Sequence, residues 1–185
     1  RYVYMAVQHI IDRLLKQIHR STKQKDILRV IEKIRKALPH VALRTSVIVG
    51  FPGERDRDFR ELISFIKDTR FERLGAFIYS REEGTPAYHF KGQVPEKEKQ
   101  ERLNIVMSCQ QEIAREVNAR FLGKTLKVLI DEKEGSGYLA RTAFDAPEVD
   151  GQVYVNSAAP LKPGDFANVK ITDTLEYDLV GEAQT

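Results

Sequence analysis

The chain has 185 residues, 42% of them hydrophobic and 31% charged, enough to bury a sizeable core and too apolar for a disordered or fibrous protein. Thirty basic against 27 acidic side chains leave a net charge of +3, too weak a bias to announce a nucleic-acid binder, and no apolar run approaches the roughly 18 residues of a membrane span. A single cysteine, Cys109, excludes an intramolecular disulfide and any metal or iron-sulfur centre held by this chain's own thiolates.

Tyr2 to Val7 reads as a short strand of β-branched and aromatic residues, after which Ile10, Ile11, Leu14, Leu15 and Ile18 recur at helical spacing. The opening residues lack the charged head and apolar core of a signal peptide, which favours the cytoplasm, and a start inside a strand is expected of a fragment. Ser21 or Thr22 is placed to cap a second helix with Ile27, Val30, Ile31, Ile34 and Leu38 on one face, ended by Pro39. Val41 to Val49 is a second strand, closing in Gly50-Phe51-Pro52-Gly53. A helix with Phe59, Leu62, Ile63 and Ile66 along one side follows, then a third strand, Leu74 to Tyr79. Repeated strand-helix units with nearly continuous apolar strands predict a parallel sheet covered by helices, either doubly wound or part of a (β/α) barrel, and the partial barrel is the expectation.

Arg81 to Gln93 is irregular, and Pro95 opens a long helix to about Phe121 that reads as a connector. The charge run Pro95 to Arg102 is most simply its solvated face, and Cys109 a small residue packed in it. Beyond Gly123, five short strands in about 60 residues (127–130, 138–142, 152–155, 168–171 and 177–181) predict a small antiparallel barrel. The fold class is therefore α/β plus small all-β, with residues 1–120 as one domain and 121–185 as the other. The first carries 24 basic and 16 acidic side chains, net +8, and the second 6 and 11, net −5, so the two parts are expected to meet different partners.

In a parallel barrel the chemistry gathers at the C-terminal strand ends. Here these are Gln8-His9, the turn Gly50 to Glu54 with Arg44 to Ser46 in the strand before it, and Tyr79 to Thr85. Gly50 and Gly53 allow a tight turn and close backbone approach, which serves an ordinary strand-to-helix connection as readily as a ligand. The Lys-Ser/Thr pair of a phosphate loop is missing. His9 reads either as an acid or base near neutral pH or as a partly buried structural histidine. Arg44 is a partner for a carboxylate if the strand alternation turns it inward, and a surface charge if outward.

Together, Val7-Gln8-His9, the run Arg44-Thr45-Ser46-Val47-Ile48-Val49-Gly50-Phe51-Pro52-Gly53-Glu54, and Tyr79-Ser80-Arg81-Glu82-Glu83-Gly84-Thr85-Pro86-Ala87 resemble, in order and spacing, the second half of the radical SAM methylthiotransferases. Gly123-Lys124 and the small barrel resemble the family's C-terminal TRAM domain. Arg141-Thr142 followed by Asp145-Ala146-Pro147-Glu148-Val149-Asp150-Gly151 is similar to the RimO branch, which modifies the β-carbon of an aspartate in small-subunit ribosomal protein twelve, rather than to the tRNA-modifying branch. The resemblance implies S-adenosylmethionine and two four-iron four-sulfur clusters as cofactors of a longer parent, with the cluster-binding regions outside this chain and the chain alone inactive. It places Gln8, His9, Arg44, Ser46, Tyr79 and Ser80 and the Val49-Gly50 backbone at the cofactor. A barrel of net −5 is expected to dock a basic ribosomal protein, with Asp145, Glu148 and Asp150 on the docking face, and to repel RNA phosphates. A tRNA-modifying fragment and a non-catalytic RNA-binding barrel are the alternatives.

Overall fold

The computed structural model describes residues 1–184, which form two compact units, Val3–Gln110 and the segment from Gln111 onward together with Arg1–Tyr2. In the first, β1 (Tyr2–Tyr4), β2 (Ala42–Val49) and β3 (Arg73–Ile78) make a three-stranded sheet in the order β1-β2-β3. Strands β2 and β3 run parallel, with Arg44 opposite Arg73, Ser46 opposite Gly75 and Ile48 opposite Phe77, and a parallel bridge between Gln8 and Val47 extends the pairing beyond β1. The period of two then sorts β2 into two faces. Leu43, Thr45, Val47 and Val49 are each completely buried, whereas Arg44 and Ile48 on the alternate face keep some exposure. That second face is the open one, with Tyr4 54% and Phe77 57% exposed.

Helices α1 (Asp12–Gln17), α2 (Gln24–Ala37) and α3 (Asp56–Thr69) connect the strands. Each buries one stripe: Leu14 and Leu15, then Ile27 and Ile31, then Phe59, Leu62, Phe65 and Ile66. Ser21 and Thr22 do not cap α2. Its N-cap is Lys23, whose backbone N–H donates to the Asp26 carboxylate at 3.3 Å, so the acid inside the first turn replaces a hydroxyl before it. Helix α4 (Glu96–Ala119) begins in the first unit and ends in the second. Cys109 is packed into it, 7% exposed. Within the charge run at its start Glu96, Lys97, Gln100 and Glu101 are exposed as a solvated face requires, but Lys99 and Arg102 turn inward, 5% and 4% exposed.

The second unit holds β4 (Thr125–Glu134), β5 (Gly137–Thr142), β6 (Val153–Asn156), β7 (Phe166–Thr174) and β8 (Leu179–Ala183), closed in the order β4-β5-β6-β8-β7. The barrel is mixed rather than wholly antiparallel. The chain crosses from β6 to β7 and returns by a hairpin, which sets β8 parallel to β6. Val128, Ile130, Tyr138, Ala140, Val153, Val155, Val169, Ile171 and Leu179 fill the interior. A side chain at Gly181 would meet Val169 Cγ1 at 2.5 Å and the Lys170 carbonyl oxygen at 2.6 Å, so closure needs glycine there. No helix among the described residues is long and apolar enough to cross a membrane.

Candidate functional site

The ends of β1, β2 and β3 carry the sequence-predicted residues, and the turn after β2 is their hub. Gln8 sits at φ +67°, a left-handed conformation that only glycine adopts without strain, held by its N–H on the Ser46 carbonyl at 2.8 Å and by its own carbonyl, which accepts from Ile48 N–H at 2.8 Å. His9 is completely buried. Its Nδ1 accepts the Ile11 N–H at 3.1 Å, so the ring proton resides on Nε2, which has no hydrogen-bond partner and lies 4.0 Å from Glu54 Oε2. Burial, reinforced by Arg13 and Arg102 and opposed by Asp58, lowers its pKa to about 4. His9 is thus a neutral structural imidazole at pH 7, not an acid or base poised near neutrality.

Glu54 closes the turn. Its Oε2 accepts Gly50 N–H at 2.6 Å and Phe51 N–H at 3.3 Å, and its Oε1 accepts Arg102 Nη1 at 3.0 Å. Burial raises its pKa, against the opposing pull of Arg102 and the two amides. Arg102 also pairs with Asp56 at 2.9 Å and with Glu98. Arg13 donates to the Gly53 carbonyl at 3.0 Å and to Asp58 at 2.5 Å, and Gly53 N–H donates to the Gly92 carbonyl at 2.7 Å. Gly50 has φ +73°, and a Cβ built on it would stand 2.3 Å from Lys99 Cγ. The close approach that Gly50 permits is therefore filled by Lys99, whose ammonium donates to the Tyr79 carbonyl at 3.0 Å and to Glu96 at 3.2 Å.

Arg44 and Ser46 share the face of the sheet opposite Leu43, Thr45 and Val47, with Arg44 partly exposed and Ser46 6% exposed. Ser46 Oγ is 2.8 Å from the Tyr4 hydroxyl, and the Arg44 guanidinium lies 5.9 Å from the Tyr4 ring centroid. Val49 has its side chain on the closed face, and its carbonyl accepts the Tyr79 N–H at 2.9 Å. Tyr79 stands edge-on to Phe51 at 5.1 Å, which also meets Phe90 at 6.2 Å. The Tyr79 hydroxyl is buried without a partner, an orphan that a hydrogen-bonding ligand would satisfy. Ser80 is exposed, its hydroxyl 2.5 Å from Glu82. Arg44 and Ser46 thus share one sheet face, and Gln8 is bridged through its backbone to Val47 on the same strand. His9, Val49, Gly50 and Tyr79 join the turn cluster, and Ser80 stands apart.

Sequence reasoning missed Tyr4, Arg13, Lys99 and Arg102, and saw in Glu54 only its place before a helix. The available signal was Glu54 itself, four residues after Gly50, a spacing that lets a carboxylate reach back to the turn amides.

Of the acidic residues in the barrel, Asp145 accepts the Thr142 hydroxyl at 2.5 Å and Asp150 accepts Ala146 N–H at 2.9 Å, so both organise their own loop. Glu148, at φ +63°, is exposed beside Val149, which is 59% exposed. Among the described residues no group of three or more His, Cys, Asp or Glu side chains could hold a metal ion, and Cys109 is buried. The donor set does not fit an iron-sulfur cluster. Toward S-adenosylmethionine the residues offer the orphan Tyr79 hydroxyl and the polar groups of Arg44 and Ser46, while Phe51, 3% exposed, packs edge-on against Tyr79.

Residues 1–66 match the model of the radical SAM superfamily, and residues 122–183 that of the TRAM domain. The chain is 50% identical, over 98% of its length, to a ribosomal protein uS12 methylthiotransferase RimO of Thermosipho africanus, of which it covers 42%. Proteins of the same description from Parabacteroides distasonis and Clostridium acetobutylicum are 44% and 45% identical over 98% and 97% of the chain, with 42% and 40% of their own lengths covered. The chain spans about two fifths of the length of these curated relatives. A segment matching the radical SAM superfamily, followed by one matching the TRAM domain, makes the chain similar over nearly its whole length to about two fifths of these methylthiotransferases.

Proposed function

We propose that this chain is part of an enzyme that methylthiolates ribosomal protein uS12, at the β-carbon of an aspartate, in the cytoplasm where ribosomes are built. The observation that carries the reading is the match to uS12 methylthiotransferases over 98% of the chain at 44–50% identity. The β-carbon of an aspartate is not acidic enough for a side-chain base, and S-adenosylmethionine, when bound, supplies the radical chemistry that breaks such a bond. The iron-sulfur clusters that chemistry requires, two of them in this reading, belong to parts of the longer protein outside this chain. The residues of this chain orient and exclude. Gln8, Arg44, Ser46 and the orphan Tyr79 hydroxyl offer hydrogen bonds to the polar groups of the cofactor, Phe51 packs edge-on against Tyr79, and neutral His9 packs beneath the turn without exchanging protons.

On the barrel, exposed Glu148 and its acidic neighbours supply charge complementary to a basic ribosomal protein. One observation favours a second reading. Phe166 is 65% exposed with Lys127 Nζ 4.5 Å above its ring, at a groove of about 500 Å³ that also includes Leu129, Arg141 and Phe144, a pairing of cation and aromatic suited to RNA bases.

The test is to offer the full-length protein, with its clusters reconstituted and S-adenosylmethionine present, either uS12 or tRNA and to follow the mass of each. A methylthio group gained by an aspartate of uS12 and not by tRNA is the expected result. Modification of tRNA alone would transfer the chain to the second reading.

A further inference from the structure

We propose that Lys99 and Arg102, three residues apart on α4, are positioning residues for the ligand at the strand ends, holding the Gly50 to Glu54 turn in place by charge. The proposal deepens the reading of that site as a wall for S-adenosylmethionine and rests on it.

The turn is built to receive these two side chains. Lys99 lies across Gly50, where any Cβ would overlap its stem at 2.3 Å, so glycine and lysine are fitted to one another. The ammonium reaches the Tyr79 carbonyl at 3.0 Å, and the Tyr79 N–H in turn reaches the Val49 carbonyl at 2.9 Å. Lys99 therefore ties the end of β3 to the end of β2. It also sits 5.4 Å from the centroid of the Tyr79 ring, whose hydroxyl is the buried orphan. Arg102 holds the other half. It donates to the Glu54 carboxylate at 3.0 Å and to the Glu54 carbonyl at 3.3 Å, and that carboxylate carries the Gly50 and Phe51 amides. Phe51, the residue so held, is 3% exposed and packs edge-on against Tyr79 and Phe90, so its position sets that of the Tyr79 ring.

Two cations more than nine-tenths buried are a costly way to attach a helix to a turn, since apolar side chains of similar volume pack there at no cost in desolvation. What charge adds is direction. Fixed N–H donors set the angles of a carbonyl and a carboxylate, and through them the wall against which a ligand lies. The arrangement is that of a support beneath a site, since Lys99 and Arg102 spend the contacts described here on protein oxygens.

The experiment uses the full-length protein with its clusters in place and four variants, K99M, K99R, R102M and R102K. Amide exchange of the peptide spanning Val49–Arg55 is followed by mass spectrometry, and S-adenosylmethionine binding by equilibrium dialysis. Losing the charge-assisted hydrogen bonds of either side chain is expected to speed exchange of the turn and weaken binding by about tenfold or more in the methionine variants, most in R102M. Exchange in Thr125–Ala183 should stay at the parent rate, and K99R and R102K should recover binding to within about twofold. Faster exchange with unchanged affinity would overturn the proposal, since the turn would then not form the ligand's wall. Unchanged exchange would overturn it too, as would variants in which the conservative and methionine substitutions are equally impaired. Absence of S-adenosylmethionine binding in the unsubstituted protein would instead refute the functional reading of the site, while the exchange rates still report on the clamp.

Discussion

Replacing Gly50 by alanine tests the turn most directly, because its cost divides into two parts that the structure keeps separate. The first is backbone strain. At φ +73° an L-residue is disfavoured by about 1 kcal/mol relative to glycine. The second is overlap. The new methyl would stand 2.3 Å from Lys99 Cγ, 3.0 Å from Cδ and 3.1 Å from Cβ, which is the stem of the side chain and not its mobile end. Lys99 must then swing away, losing a charge-assisted hydrogen bond to Tyr79 of about 1.5–3 kcal/mol. Together the terms predict a loss of about 2.5–4 kcal/mol, a large part of the stability of a domain of this size. Gly84 supplies the control, with φ +80° and nothing within 4 Å of a built Cβ, so Gly84→Ala should cost only the strain of about 1 kcal/mol. In a Lys99→Ala background the Gly50→Ala cost should fall toward that same figure of about 1 kcal/mol. Urea titration followed through the amide resonances of Leu43 and Val47 reads the sheet unit alone. Equal costs at Gly50 and Gly84, or a Gly50→Ala cost indifferent to Lys99, would refute the reasoning.

Acidification should destabilise the same unit through His9. The unfolded chain takes up that proton near its ordinary value of 6.5 and the folded chain only near 4, so stability is lost as pH falls through this window, by at most about 3 kcal/mol. His9→Gln should flatten the acid limb in urea titrations at several pH values, although Glu54, whose pKa is raised, contributes the opposite slope above its ordinary value of 4.5. Arg102→Met leaves a buried Glu54 carboxylate without its guanidinium and should cost about 3–5 kcal/mol, with Glu54→Gln in the same background recovering part of it by the same assay. In the barrel, a methyl at Gly151 would lie 1.9 Å from the Tyr177 carbonyl oxygen, so Gly151→Ala should lower the midpoint of the barrel's own transition, read at Val128 and Val169, and leave Leu43 unchanged. Glu148→Lys should slow association of the full-length protein with the basic ribosomal protein at low salt and leave dissociation unaltered in surface-binding kinetics, whereas Asp145→Asn and Asp150→Asn should also loosen the loop they hold.

What could be read in the sequence was what repeats locally. The run Val41 to Val49 alternates around a polar middle, and the structure buries Leu43, Thr45, Val47 and Val49 on one face as a period of two requires. The α3 stripe was legible at Phe59, Leu62 and Ile66, while Phe65 joins them because a helix packed under a sheet buries a wider arc than a single i, i+3, i+4 ladder. The parallel pairing of β6 with β8 was not legible, since it depends on the route of the 157–165 crossover and not on any strand's composition. The inward turn of Lys99 and Arg102 within the otherwise exposed charge run of α4 was hidden for a similar reason. Opposite charges at helical spacing look the same whether their partners are neighbours on the helix or a carboxylate 48 residues away, and Arg102 has both, pairing with Glu98 and with Glu54.

The division of labour at the strand ends explains why the site residues were only partly recoverable. A motif such as Gly50 to Glu54 attracts attention as a ligand cradle, yet its hydrogen-bonding capacity is largely consumed within the fold. The Gly50 and Phe51 amides go to Glu54, the Gly53 amide to Gly92, and the Val49 carbonyl to Tyr79. The other residues at the strand ends are less conspicuous in sequence: a glutamine in a strained conformation, and an arginine and a serine two residues apart along a strand. Gln8 carries the clearest mark of such a role. Its φ of +67° carries a conformational cost, and the two hydrogen bonds that flank it hold the backbone to β2 on either side of Val47. The same two bonds would form with a glycine at that position and no strain, so backbone stability does not explain a glutamine there, and on the proposed reading its amide, able to donate and accept, serves the ligand.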